Sequence, residues 1–216
     1  MSHGICYSTA DQADVLAFLG SNGNLTADQQ SRLESMRDSA RARQTGLDHQ
    51  EVDWGLTVPE ALDHLLAGRM SSEAERAGNA YHAALQIVID HNACDPYTLG
   101  TYADPSRFFG LVDEELRRLG VPGDLLPGGY LFGGLPDGFP GIPRPVDGYP
   151  AIGHLPLDRA KPAADAYGDV LARMAPDFWV DVQELMEILE FEHEQWWYSK
   201  HRADGYTQDT LFFSLT

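Results

Sequence analysis

Cysteine is nearly missing from this chain. Cys6 and Cys94 are the only two among 216 residues, so no disulfide framework can form, and neither a CxxC pair nor a Cys/His zinc spacing can be assembled. Long apolar runs are missing too, none approaching the ~18 residues that span a bilayer. The opening residues carry no Lys or Arg and lead into no apolar stretch, so no secretory signal or transit peptide is readable. The expectation is a cytoplasmic protein with reduced thiols. Basic residues are also scarce: 15 Lys and Arg stand against 33 Asp and Glu, a formal net charge of -18 with neutral His. A field of that sign repels phosphate backbones and anionic lipid, which disfavours nucleic acid and membrane as partners. It favours a basic protein reached by electrostatic steering.

What is present is a pattern of helices between two terminal strands. Gly4 to Ser8 reads as a strand, with Ser8 and Thr9 placed to cap a helix over residues 11–19 that Gly20 closes. Thr26 to Gln29 has capping-box form and opens an exposed helix reaching Gln44, with Leu33 and Met36 inward and Gly46 as its end. Thr57, Pro59 and Glu60 mark a third start, and Gly68 a stop. A fourth helix begins after Ser72, with Glu75 completing a box, and is apolar along its length to Ile89. Residues 106–119 repeat the pattern before Gly120.

From Val121 to Gly153 about half of the residues are Gly or Pro. That composition predicts turns, short edge strands or a long ordered loop in place of helix. Tyr130, Phe132, Phe139 and Tyr149 within it argue for a segment folded on the core. Helices over residues 158–174, with Pro162 in the first turn, and 180–201 follow, then a strand from Thr210 to Thr216. The fold expected is α+β: a helix-rich single domain over residues 1–216, with a small sheet pairing its amino- and carboxy-terminal strands.

The residues that could carry chemistry concentrate late in the chain. Glu190 and His193 form an E-x-x-H on a helix, the unit of carboxylate-bridged metal centres. Those centres need two copies on facing helices and only one is found, so neither a metal nor any other cofactor is implied. At about 100° per residue His193 falls in the middle of the stripe of Val182, Leu185, Met186, Leu189 and Trp196 and is expected to point inward, with Glu190 at the stripe's border. His154 stands where the Gly/Pro region meets a helix, a loop position of the kind that often carries function. The Gly128 to Gly134 stretch lacks a Gly-Lys-Ser/Thr ending and reads as a turn-rich hairpin rather than a phosphate loop.

The last helix also carries Asp181, Glu184, Glu187, Glu190, Glu192 and Glu194 with no Lys or Arg before Lys200. Repulsion between such neighbours is relieved by a basic partner. Trp196 and Trp197 sit beside them as candidate interface anchors, with at least one of the two expected in the core. Glu187, Glu194, Trp197, Tyr130 and Tyr149 are the binding candidates.

Trp54, Ala61 to Gly68, Gly148 to Ala151 leading through Leu155 into a helix, and the strand from Leu211 after a long acidic helix together resemble the YfbM-like family of uncharacterised bacterial proteins. The chain as a whole is similar to actinobacterial proteins of this length. The shared blocks are apolar and turn residues, so the resemblance implies fold and no catalytic residue. It departs at His154, near which the family pattern has an Arg, and over residues 94–135, an elaboration. Two readings follow: a non-enzymatic interaction protein of inhibitor or immunity type that covers a basic surface, or an enzyme or small-ligand binder whose pocket under residues 121–153 uses His154, His193 and Glu190.

Overall fold

A computed structural model describes residues 2–146, 148–202 and 207–215. The chain divides into two compact units. One comprises Met1–Ala10, Pro96–Leu135 and Ile152–Thr216, and the other Asp11–Asp95 and Pro136–Ala151. Among the described residues there are eight α-helices and four strands.

The first unit is built on a sheet with strand order β2-β1-β4-β3. Strand β1 (His3–Ala10) pairs antiparallel with β4 (Thr210–Leu215), setting Tyr7 opposite Phe213, so the expected union of the two terminal strands holds. Thr216, the last residue assigned to that strand from sequence, lies outside the described residues. On its other side β1 pairs with β2 (Tyr97–Tyr102), Tyr7 opposite Tyr97, with a register shift between Ile5 and Cys6. The sequence reading placed no strand there. Strand β3 (Ala151–Pro156) forms the far edge, so His154 lies on a strand rather than in a loop.

Helix α5 (Pro105–Leu119) starts where Asp104 accepts from the Arg107 N–H and ends at Gly120, whose φ of 99° is left-handed. The Gly/Pro region then contains a short helix, α6 (Pro127–Leu131), correcting the expected hairpin. Its proline stands at the first helical position, where a missing N–H costs nothing. Gly128 donates its N–H to Asp113 at 3.0 Å, which fixes α6 on α5. Strand β3 passes so close to the end of α6 that a Cβ on Gly153 would stand 2.2 Å from the carbonyl oxygens of Tyr130 and Leu131.

Helix α7 (Leu157–Leu171) carries Pro162 in its interior, beyond the first turn where it was expected. Helix α8 (Pro176–Arg202) is the longest and packs against α7. Tyr167 of α7 donates to the Leu125 carbonyl and lies 3.1 Å from the Tyr130 hydroxyl of α6. A phenol has one proton to give, so Tyr130 donates to Tyr167.

The second unit is helical. Helix α1 (Gln12–Leu16) is capped by Asp11, which accepts from Ala13 at 2.7 Å; Ser8 and Thr9, the expected caps, belong to β1. Helix α2 (Ala27–His49) has the predicted Thr26–Gln29 capping box but runs through Gly46. The glycine costs the helix about 1 kcal/mol. The added turn buries Leu47, while Gln44 accepts from the Val58 N–H at 3.0 Å and so ties α2 to the start of α3 (Val58–Leu66).

Helix α4 (Ala77–Asp90) begins without a side-chain cap; Ser72, expected to open it, accepts from Ala74 in a preceding turn. It is buried nearly all round. Residues 136–151 close one side of it. A Cβ on Gly78 would meet the Arg144 carbonyl oxygen at 2.1 Å, and Asn79 donates to the Tyr149 carbonyl at 2.6 Å while accepting from the Val146 N–H at 3.2 Å. The aromatic-bearing segment is thus fastened to a core helix, as its composition predicts.

Candidate functional site

Helix α8 holds most of the residues singled out from sequence, and its two faces differ sharply. Val182, Leu185, Leu189 and Glu192 are buried. On the opposite side Val180, Glu184, Glu187, Phe191, Glu194 and Tyr198 are all exposed. These six recur at spacings of four and three, so they lie along one line of the helix about 27 Å long. Val180, Phe191 and Tyr198 are more than half exposed, at 56%, 55% and 53%, an uncommon disposition for large apolar groups gathered on one element.

Glu192 corrects the expectation that the acidic residues of α8 all face solvent. It is 9% exposed, and burial raises its pKa above the ordinary carboxylate value. Its position follows from spacing, since it stands seven residues beyond Leu185 and three beyond Leu189 on the same face. The stripe therefore runs through Glu192 and leaves His193 at its edge, half-buried.

The His193 Nδ1 lies 2.9 Å from the Leu157 carbonyl oxygen. A carbonyl only accepts, so Nδ1 carries the proton and Nε2 presents a lone pair in the neutral ring. His193 borders an open surface depression of about 430 Å³ together with Glu194, Trp197 and Tyr198. An imidazole lone pair, a carboxylate and two aromatic rings suit a cationic group.

The surrounding rings already hold cations of the chain itself. Lys200 Nζ stands 4.6 Å from the Trp196 ring centroid, and the Arg202 guanidinium is equally close to the Tyr198 ring. Neither Trp196 nor Trp197 is in the core: the first is half-buried and the second 52% exposed.

The remaining candidates are placed elsewhere in their units. Glu190 is paired with Lys161 at 3.3 Å. His154 Nδ1 donates to the Gly134 carbonyl at 2.7 Å, which holds β3 against the Gly/Pro region. Tyr130 is buried in the tyrosine pair described above. Tyr149 is half-buried and offers its carbonyl to Asn79. Glu187, Glu194 and Trp197 share the exposed side of α8, with His193 at its margin. Among the described residues, no three of His, Cys, Asp or Glu gather as metal ligands, and no helix is long and apolar enough to cross a membrane.

Sequence reasoning missed two other features. Ser39 Oγ lies 2.9 Å from His91 Nε2, and His64 Nδ1 lies 2.8 Å from the Tyr81 hydroxyl. Each joins two helices of the second unit, and neither lines the depression on α8. Strand and helix assignment alone could not bring them together, because the partners are distant in sequence.

Over residues 1–214 the chain matches the family described as Domain of unknown function (DUF7691), and it belongs to that family. No curated protein and no solved structure matches it.

Proposed function

We propose that this member of the family is a non-enzymatic interaction protein, of inhibitor or immunity type, that docks a basic partner on the solvent face of α8. One observation carries the reading: three glutamates and three large apolar side chains are interspersed along a single exposed line. Acidic residues there steer a cationic partner and fix its orientation, while Phe191 and Tyr198 supply apolar area that becomes buried on docking. The net charge of -18 extends the steering field beyond the helix.

The test is a variant carrying Glu184→Lys, Glu187→Lys and Glu194→Lys together. All three sites are exposed, so the fold should persist by circular dichroism. Wild type should retain a lysate protein at low ionic strength that is released as salt rises and that the variant does not retain. Equal retention by both would sink the proposal.

The second reading, a small-ligand binder or enzyme, is favoured by the depression that His193 borders. A cationic small molecule whose thermal stabilisation of the protein disappears in His193→Ala would support it. A cytoplasmic home is proposed on the charge and the scarcity of cysteine, and kinship with the bacterial YfbM-like proteins on the shared sequence blocks.

A further inference from the structure

The exposed line on α8 has a geometry that narrows the partner. Val180, Glu184, Glu187, Phe191, Glu194 and Tyr198 follow one another by steps of four, three, four, three and four residues. Lettered as heptad positions d and a, these residues form one row of about 27 Å along which a second helix can lie; the recurrence itself is that of any helix face, and the three apolar and three acidic side chains give this row its character. The buried Val182, Leu189, Leu185 and Glu192 occupy the f and b positions of the same heptads, diametrically opposite. Asp181 and Glu190 flank the seam at e and g; the first accepts from the Tyr102 hydroxyl at 3.0 Å, and the second is paired with Lys161.

We infer that the occupant of this seam is a basic amphipathic helix of another protein. It would place Lys or Arg at the a and d positions opposite Glu184, Glu187 and Glu194, and apolar side chains opposite Val180, Phe191 and Tyr198. A further cation on its flank would enter the depression of His193, Glu194, Trp197 and Tyr198. With its seam aligned on this one, a second copy of this chain sets like charges together. Laid parallel, each seam glutamate meets its own copy; turned antiparallel about the midpoint, Glu184 meets Glu194 and Glu187 meets Phe191. Like charges facing across a seam are unfavourable.

The inference rests on the docking face proposed above and adds the shape of what docks. The probe is a synthetic 21-residue peptide with Arg and Leu arranged on a four-three seam to match these positions. A peptide of the same composition, shuffled so that no seam forms, is the control. By fluorescence anisotropy at low salt, the seam peptide should bind at least tenfold tighter than the shuffled one. Glu187→Lys and Phe191→Ser should each weaken it by about tenfold, and both positions are exposed, so neither change should disturb folding.

Equal binding of the two peptides, abolished by Glu187→Lys, would overturn the helical occupant and leave the acidic docking face standing. Failure of both peptides to bind, together with equal retention of lysate proteins by wild type and the triple lysine variant, would remove both. Sedimentation showing a dimer broken by Phe191→Ser would also overturn the inference, in favour of a second copy.

Discussion

The buried carboxyl of Glu192 on α8 acts on the phenol of Tyr7 on β1: burial, and then the charge of Glu192, pushes that phenol up to about 12. Both residues are nine-tenths buried. The pairing gives the helix a titratable group on its inner side, in contrast to the solvated acids of its outer seam.

A stability measurement should reveal that group. The unfolded glutamate titrates near the ordinary value of about 4.3, whereas in the folded protein burial holds the proton to higher pH. Between those two values the folded state binds more protons than the unfolded one, so this residue makes stability fall as pH rises and level off above the raised value. Glu192→Gln should remove that fall. Urea unfolding of both proteins across the acid range checks it, and curves that stay parallel would refute it.

Tyr167 should be costly to truncate by a single oxygen. Tyr167→Phe leaves the Leu125 carbonyl without its donor and the Tyr130 hydroxyl without its acceptor. The expected loss is about 1–2 kcal/mol, read by denaturant unfolding. Tyr130→Phe removes only the donor to Tyr167 and should cost less.

Two glycines should respond in opposite directions. Gly153→Ala forces a methyl onto two carbonyl oxygens of α6 and should destabilise by roughly 1–3 kcal/mol. Gly46→Ala lies inside α2 with no atom within 4 Å of the added carbon, and should stabilise by about 0.5–1 kcal/mol. Melting temperatures of the two variants decide both.

The sequence proposes one domain, and one cooperative transition is the corresponding prediction. Neither compact unit is a continuous stretch of chain. Trp54 reports on one unit and Trp179, Trp196 and Trp197 on the other, so fluorescence transitions of a Trp54→Phe variant and of wild type should coincide with loss of helicity. Separated midpoints would show two domains.

How legible each element was depended on where its information lay. The boxes at Thr26 and Thr57, the left-handed glycines after α3 and α5, and the terminal strands are local signals, and local signals survive without a structure. Strand β2 has suitable residues in Tyr97, Thr98, Leu99 and Thr101, but Gly100 dilutes them, and its partner β1 is far away in the chain. Helix α6 hid behind Gly128 and Gly129 because its stability comes from docking on Asp113 rather than from propensity.

On α8 the apolar stripe was legible. The burial of Glu192 was also available from spacing, yet its charge argued for solvent. The mixed acidic and apolar exposed line emerged only once burial fixed which side of the helix faced water.

The antiparallel register of β1 and β2 has a consequence for chain path. Residues 11–95 leave the end of one strand and return at the start of its neighbour, so the two strands are arms of a hairpin whose loop is a helical body. Loop entropy grows only logarithmically. Replacing a four-residue turn by this excursion costs the closure roughly 2 to 3 kcal/mol, little beside the surface its helices bury. The sheet can therefore tolerate lengthening or trimming of that insertion, provided its two ends still meet beside Tyr7 and Tyr97.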